Sequence, residues 1–285
     1  MKRTSKHLFK LAFKTSIDVQ LARIAPQDAS AKGHNKRVQF LLDEGADVNA
    51  HGKYYSKVFC SASLRGHVEI VQLLLDKGVD VNSQTREDSN ALYAASSRGH
   101  TEIVKLLLDR GANVNAPGGP YRSALCAASV KGYTMIAQLL LDNGADIDAP
   151  CGDHDHNALY IASIAGHMET VQLLLDKGAK VNGPGGVYGN ALCAASYKGH
   201  YQIVQLLLGK GAIVNARSGG HYATALCGAS AEGYIEIVQL LLDHGANVKQ
   251  GGYFFGNALD QTNALDHATR EGHTQIVQLL RASGA

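Results

Sequence analysis

Apolar and polar positions along this chain follow one pattern that returns about every 33 residues. The clearest copy is SNALYAASSRGHTEIVKLLLDRGANVNA, residues 89–116. Asn90 is a suitable N-cap for a short helix over 91–98, and Gly99 can adopt the left-handed conformation that ends it. A second helix over 101–109 places Ile103, Val104, Leu106 and Leu107 on one apolar stripe. The pattern therefore predicts a pair of short helices as the structural unit.

Pairs of glycines mark eight copies of this unit. In each copy a glycine followed by His or Tyr precedes a second glycine by 12 residues, as at Gly99 and Gly111. The first glycines recur at steps of 33 or 34 residues, and the last step is 39. Every length change falls between one unit's second glycine and the next unit's first, so that segment contains a surface loop, which we call a finger. Neither helix can bury its apolar face alone, so neighbouring units must stack.

The residues of this unit resemble the ankyrin repeat. GHTEIVKLLLDRGANVNA, GHVEIVQLLLDKGVDVNS and GYIEIVQLLLDHGANVKQ match its second half, whereas the usual Thr-Pro-Leu-His opening is replaced by Asn-Ala-Leu-Tyr, Asn-Ala-Leu-Cys or Ser-Ala-Leu-Cys. The resemblance covers residues 24–285. It implies an all-α repeat solenoid of stacked helix-turn-helix ankyrin repeats with β-hairpin or loop fingers. It also implies that the histidines after the first glycines make structural hydrogen bonds between repeats.

The predicted domains are a basic N-terminal segment, residues 1–23, and an ankyrin repeat domain, residues 24–285. The segment is interpreted as an amphipathic capping helix, with a mitochondrial targeting helix or a membrane-surface contact as alternatives. The first of the eight repeats is degenerate. Six extra residues precede the last repeat, where NALD occurs twice, so the sequence leaves the register of 257–265 open.

Composition narrows the classes of function. Lys and Arg number 27 and Asp and Glu 25, a net charge of +2, which is too small to indicate a nucleic-acid or membrane partner. No apolar run reaches the length of a membrane span. We therefore expect a monomeric cytoplasmic or nuclear protein without a cofactor or metal. Cys60, Cys126, Cys193 and Cys227 share one repeat position, and stacked helices lie about 8–10 Å apart, beyond disulfide reach, so free thiols are expected.

The fingers vary where the scaffold makes no demand, so they are the predicted partner-binding surface. Two residues before each helix cap the fingers carry aromatic or acidic residues, and two fingers add an arginine. The predicted set is Tyr55, Arg86, Asp88, Tyr121, Arg122, Asp155, Tyr188, Tyr222 and Phe255. Aromatic side chains supply large contact area at low entropic cost. The alternative is that each ring packs on the next hairpin.

A second candidate surface lies immediately before the first glycine of each repeat. In ankyrin repeats this position lines the groove beside the fingers. Here it is basic at Arg65, Arg98, Lys131 and Lys198 and acidic at Glu232 and Glu271. One hypothesis is that an acidic or phosphorylated segment of a protein partner binds this ridge, and the other is a solvated charged face.

Candidate chemistry is confined to CGDHDH, residues 151–156. Two histidines on one finger supply too few ligands for a zinc site, and no established catalytic motif is present. We assign no catalytic residue; Cys126, His154, Asp155 and His156 remain weak candidates. The predicted function is a non-catalytic protein-protein recognition scaffold that uses finger aromatics and the concave groove. The alternative is a small-molecule-binding or enzymatic ankyrin protein with a pocket at repeats three to five.

Overall fold

The computed structural model describes residues 52–85, 89–152, 156–217, 222–253 and 261–284. These residues divide into two compact units. Residues up to 128 together with 138–145 belong to the first unit, and residues 129–137 together with those from 146 onwards belong to the second. The predicted N-terminal segment, residues 1–23, and the degenerate first repeat lie outside the described residues.

The first unit is built from paired helices. Its complete helices are α1 (Gly52–Arg65), α2 (Val68–Asp76), α3 (Ala91–Arg98) and α4 (Thr101–Asp109). Each pair packs together, α1 on α2 and α3 on α4, and successive pairs stack through α1 on α3 and α2 on α4. Two further helices, α5 (Ala124–Lys131) and α6 (Thr134–Asp142), contribute residues to both units.

The second unit repeats this arrangement four times. Its helices are α7 (Ala158–Ala165), α8 (Met168–Asp176), α9 (Ala191–Tyr197), α10 (Tyr201–Gly209), α11 (Ala225–Glu232), α12 (Ile235–Asp243), α13 (Ala264–Arg270) and α14 (Thr274–Ala282). The first helix of each pair, which we call the inner helix, packs on the next inner helix, and the second, the outer helix, packs on the next outer helix. The predicted helix pairs are therefore present.

Short polar side chains begin the inner helices. The side-chain oxygens of Asn90 and Asn157 accept the N–H of Tyr93 and Tyr160, each at 2.8 Å. Thr224 does the same for Cys227 at 3.2 Å. Such caps satisfy N–H groups that have no partner inside the helix. Helix α3 ends as predicted, because Gly99 has a left-handed φ of 81°.

Small residues on the inner helices allow the outer helices to pack closely. Ala94 and Ala95 of α3 are buried, and they lie in the same core as Ile103, Val104 and Leu107 of α4. Leu106, the fourth member of the predicted stripe, is only partly buried. The pattern recurs in the second unit, where Ile203, Val204 and Leu207 are likewise buried.

The spacing of glycine and histidine that recurs in the repeats produces a hydrogen bond between neighbouring repeats. The Nε2 atoms of four histidines lie 3.0–3.2 Å from carbonyl oxygens of the preceding repeat, namely His100 to Leu64, His167 to Val130, His200 to Ile164 and His273 to Ala231. Each ring covers the first glycine of that repeat; a Cβ on Gly66 would lie 2.6 Å from Cε1 of His100. The predicted structural role of these histidines is confirmed at these four positions.

Two short strands settle the open register before the last repeat. Strands β1 (Gly252–Tyr253) and β2 (Gln261–Thr262) pair antiparallel on either side of the insertion. The second NALD copy opens α13, because Asn263 and Asp266 form a reciprocal capping box. The first copy, residues 257–260, lies outside the described residues.

The first described finger differs from the prediction. Residue 55 lies within α1, which begins at Gly52, rather than in a loop. Lys57 occupies the position that Asn90 occupies in the next repeat. A lysine side chain has no acceptor with which to cap a helix, so nothing at that position ends the helix and it continues towards Gly52.

Candidate functional site

Four rings form a continuous row in the second unit, which we call the aromatic row. Tyr188 stacks on Tyr197 with ring centroids 4.2 Å apart and planes inclined by 19°. Tyr222 lies 5.3 Å from Tyr197 in a tilted arrangement. His267 meets the opposite side of Tyr222 edge-on, also at 5.3 Å. The three tyrosines are half-buried, whereas His267 is only 2% exposed.

The fingers place Tyr188 and Tyr222, and an inner helix places Tyr197 between them. Tyr188 is held through its backbone, because its N–H donates to the hydroxyl of buried Tyr160 at 3.3 Å. The finger can approach Tyr160 because it contains Gly185, whose Cβ would lie 2.6 Å from Cδ2 of that ring. Asn157, the cap of the same helix, donates to the carbonyl of Pro184 at 3.0 Å. The Pro-Gly-Gly turn of this finger therefore fits the tyrosine of the preceding inner helix.

The same device holds a finger in the first unit. Asn90 donates to the carbonyl of Pro117 at 3.0 Å, and the backbone N–H of Tyr121 donates to the hydroxyl of Tyr93. Gly118 passes close to the cap, since a Cβ there would lie 2.7 Å from Nδ2 of Asn90. The ring of Tyr121 is partly exposed. This finger thus presents Tyr121 from a backbone fixed at several points.

Arg122 follows Tyr121 in a sparsely populated backbone conformation. Among the non-glycine residues that the structure describes, Arg122 alone has a positive φ, of 60°. Its carbonyl accepts the N–H of Gly118 at 2.9 Å. The turn therefore holds a strained arginine with an exposed side chain beside Tyr121.

Sequence reasoning missed Tyr197 and His267. Tyr197 occupies the helix position that carries Ser97, Val130 and Ile164 in other repeats. That exception was the available signal. His267 occupies the position of Ala94 and gives no such signal, because its role depends on the ring of Tyr222 reaching it from a finger.

Charged groups border the aromatic row at both ends. The ammonium group of Lys198 lies 4.7 Å from the ring centroid of Tyr197 and 5.7 Å from that of Tyr188, within the range of a cation–π interaction. Burial raises the pKa of Tyr197, and the hydrogen bond with Tyr188 and the carboxylate of Glu232 act in the same direction. Burial and Glu232 also raise the pKa of Tyr222. The phenols consequently remain neutral at physiological pH and can donate hydrogen bonds.

A polar network supports the row beneath Tyr222. The Nε2 atom of His267 lies 3.2 Å from Oγ1 of Thr262, and its Nδ1 lies 2.9 Å from Nη2 of Arg270. Arg270 also donates through Nε to Glu271 at 3.1 Å. Since a guanidinium can only donate, Nδ1 accepts and the proton of the neutral imidazole resides on Nε2. Burial lowers the pKa of His267, and Arg270 lowers it further.

The predicted basic ridge is exposed in both units. Arg65 and Arg98 lie in the first unit, and Lys131 and Lys198 lie in the second. Lys198 is brought to the aromatic row, where Glu232 supplies the opposite charge. Five predicted residues, Arg86, Asp88, His154, Asp155 and Phe255, lie outside the described residues. Tyr55 lies in α1, and its side chain is also outside the described part.

Two of the weak catalytic candidates have other roles. The ring of His156 stacks on Tyr160 with centroids 4.9 Å apart and a 24° inclination, and it covers Gly186 so closely that a Cβ there would overlap it. Cys126 is disulfide-bonded, as is Cys151, so its sulfur is not available as a nucleophilic thiolate.

The prediction of free thiols is therefore wrong for Cys126 and correct for Cys60, Cys193 and Cys227. The prediction compared only cysteines at one position of stacked helices, and it did not consider Cys151 on a finger. Burial raises the pKa of Cys60 to about 12, so this thiol is unreactive at neutral pH.

The described residues contain neither a cluster suited to a metal ion nor a helix suited to crossing a membrane. Among residues 52–85, 89–152, 156–217, 222–253 and 261–284, no group of three or more His, Cys, Asp or Glu side chains converges to hold a metal ion. Within the same ranges, none of the helices combines the length and the apolarity that crossing a bilayer requires.

Comparison with known proteins identifies the repeated unit. A family model described as ankyrin repeats (three copies) matches residues 27–118, 59–151, 116–184 and 192–285. The crystal structure of the human ASB11 ankyrin repeat domain is similar, with a TM-score of 0.68 and 26% identity, over 78% of this chain and 96% of that one. No curated protein matches. These findings confirm the predicted fold class, an all-α repeat solenoid of stacked helix pairs.

Proposed function

Because the chain belongs to the ankyrin repeat family, whose domains generally serve as protein-protein interaction modules, we propose that it is a recognition scaffold that binds a protein partner through the aromatic row. The fingers and the ends of the inner helices form the binding surface. Tyr188, Tyr197 and Tyr222 are its anchors, with Lys198 and Glu232 at its charged border. The observation that carries this proposal is the contiguity of three partly exposed tyrosines contributed by two fingers and one helix.

Preorganisation supports a binding role. The rings are already held by stacking and by the backbone contact between Tyr188 and Tyr160. A partner would therefore lose little entropy in ordering them. Tyrosine also combines a broad apolar surface with a hydroxyl, a combination enriched at interface hot spots. Packing between rings and partner binding are compatible, because only part of each ring is covered.

Electrostatics favour a partner with polar and charged groups around an apolar anchor. Glu232 is exposed and makes no hydrogen bond or ion pair with another described residue, although its field reaches Tyr197 and Tyr222. Lys198 covers the other end of the row. We propose that the partner's side chains pair with these two charges at the rim, where such contacts set orientation more than affinity.

The first unit carries a basic surface of its own. Arg65 and Arg98 are exposed at the ends of α1 and α3, in the unit whose finger presents Tyr121 and Arg122. We propose that an acidic or phosphorylated segment of the partner binds there. The protein would act as a monomer in the cytoplasm or nucleus and would need no cofactor.

The aromatic row can be tested by substitutions in the full chain. The double variant Tyr188→Ser, Tyr222→Ser should lose a protein captured by the wild type, with an affinity decrease of about 2 kcal/mol or more for each true anchor. Tyr201→Ser is a matched control, because Tyr201 is 40% exposed on the outer helix α10 and is not one of the stacked rings of the row. Captured proteins and small metabolites would be quantified by mass spectrometry.

Two further variants separate binding from folding. Tyr188→Phe, Tyr222→Phe preserves the rings and should retain most of the binding. Glu232→Lys changes an exposed charge and should weaken binding without altering the melting temperature. If the serine double variant remains folded and captures the same proteins as the wild type, the row is not the partner-binding surface. A retained metabolite without any captured protein would instead support the small-molecule hypothesis.

A further inference from the structure

A basic cavity lies in the first unit, separate from the aromatic row. Its volume is about 430 Å³, and it is lined by Leu64, Arg65, His67, Arg98 and His100. Two of the five lining residues are arginines and two are histidines, and no carboxylate of the described residues is among them. The cavity therefore combines hydrogen-bond donors and positive charge with a largely apolar lining.

The repeat itself builds this cavity. Arg65 and Arg98 are the last residues of α1 and α3, which pack on each other. They occupy the same position in successive repeats, so their side chains leave neighbouring helix ends on the same side. His100 lies 3.1 Å from the carbonyl oxygen of Leu64 through Nε2, and its ring covers Gly66. This imidazole, fixed by its contact with Leu64, lines the cavity together with the two arginines.

Arg98 is available for an external anion. Its side chain is exposed and makes no hydrogen bond or ion pair with any residue that the structure describes. Two arginines elsewhere in the described part are paired within the protein: Arg110 bonds Asp76 at 3.0 Å, and Arg270 bonds Glu271 at 3.1 Å. An exposed arginine in a concave surface without carboxylates attracts an anion, because their charges are complementary.

We propose that this cavity binds the phosphoryl group of a phosphoserine or phosphothreonine side chain in the protein partner. A phosphoryl group carries about −1.5 to −2 charge at neutral pH and three acceptor oxygens, whereas a carboxylate offers one charge and two. The planar fork of Arg98 can bond two phosphoryl oxygens at once, and Arg65 lines the same cavity. The inference rests on the proposed function, because the phosphoryl group belongs to the partner.

A single modified side chain fits the cavity better than a polymer of phosphates does. A nucleic acid is bound through several phosphate contacts along a basic stripe. Here the cavity is small, and the chain has a net charge of only +2. The ridge also changes sign along the chain, from Arg65 and Arg98 to Glu232 and Glu271. One phosphoryl group held by two adjacent repeats is the ligand that this distribution of charge supports.

The test measures fluorescence anisotropy of the full chain with a labelled peptide library that has phosphoserine at its centre and random flanking residues. Libraries with serine or glutamate at the centre are the matched probes. The wild type should bind the phosphoserine library at least about tenfold more tightly than the serine library, with the glutamate library in between. Arg98→Gln should remove that difference. Arg110→Gln, an exposed arginine of the same unit that pairs with Asp76, should leave it unchanged.

Several outcomes would overturn the inference. These are equal binding of the serine and phosphoserine libraries, no binding up to about 1 mM, or an unchanged preference in folded Arg98→Gln. Tighter binding of a single-stranded RNA or of phosphatidylserine vesicles, lost in Arg98→Gln, would assign the cavity to another class of partner. The failure of the phosphoryl site can be distinguished from the failure of the proposed function. Partner capture that depends on Tyr188 and Tyr222 but not on Arg98 would refute only the phosphoryl site.

Discussion

The residues of the aromatic row differ in how far the sequence could assign them. Tyr188 and Tyr222 were predicted as surface aromatics because they recur at one finger position. Tyr197 was recognisable only as an exception among Ser97, Val130 and Ile164. The role of His267 could not be predicted from the sequence. It stands where another repeat has the buried Ala94, so its position in the repeat gives no sign that its ring meets Tyr222. Contact partners, rather than residue type, decide such roles.

His267 should make stability depend on pH. Burial and Arg270 lower its folded-state pKa below the unfolded value near 6.5, and Asp266 and Glu271 only partly oppose them. In the window from pH 6.5 down to the lowered pKa, the unfolded chain binds a proton that the folded chain does not. The free energy of unfolding should therefore fall with decreasing pH, by at most about 1.4 kcal/mol per pH unit for one group.

Urea denaturation between pH 7.5 and 5.5 at constant ionic strength would check this, by comparing the wild type with His267→Gln. The variant cannot take up the proton, so its stability should vary less with pH over this range. A variant whose free energy of unfolding follows the same pH profile as the wild type would show that His267 does not contribute to the pH dependence.

The inner helices and fingers act as matched elements. Tyr160 on α7 is accommodated by the glycine-rich finger of the next repeat, at residues 184–186. Tyr93 on α3 is likewise accommodated by the finger of the next repeat, at residues 117–119. The sequence shows the Pro-Gly-Gly runs and the tyrosines but not that they belong together, because they are separated by about one repeat. Four of these glycines, Gly118, Gly119, Gly185 and Gly186, make room for side chains of the preceding repeat.

A double-mutant cycle at Gly186 and His156 tests this matching and the role of His156. Gly186→Ala should destabilise the protein by about 1–3 kcal/mol, because the added methyl group overlaps the imidazole. In the His156→Ala background the same substitution should cost much less, since the ring is absent. Thermal or urea denaturation of the four proteins gives the coupling energy. Additive effects would mean that His156 does not pack on this glycine in solution.

At the scale of the molecule, each unit is held together by contacts that recur once per repeat. The histidine contacts join neighbouring repeats on one side. On the outer loops, asparagine side chains donate to carbonyls of the next repeat, as Asn182 does to Gly211 at 3.1 Å and Asn215 to Gly245 at 2.9 Å. Since each repeat contacts only its neighbours, stability is expected to be a sum of local and nearest-neighbour contributions.

His200→Ala should therefore weaken one region more than others. The substitution removes the 3.2 Å contact with the carbonyl oxygen of Ile164 and the ring over Gly166, at a cost of about 1–3 kcal/mol. Hydrogen exchange should increase in α7 to α10 more than in α13 and α14. His244→Ala is a matched control, because His244 is exposed and its Nδ1 lies 2.8 Å from the carbonyl oxygen of Leu240 in the same repeat. Uniform acceleration throughout the second unit would contradict nearest-neighbour coupling.

The sequence by itself determined the repeat and the bounds of helices such as α3 and α4, and its resemblance to ankyrin repeats implied the histidine contacts between repeats. These depend on local capping and on interactions at a constant sequence separation, both of which a periodic pattern displays. Only the tertiary structure decided which side chains from different repeats meet: Tyr197 and His267 with the finger tyrosines, and Arg98 without an internal partner. It also placed Cys126 in a disulfide. These features depend on the path of individual fingers, and the finger is the part of each unit that does not repeat.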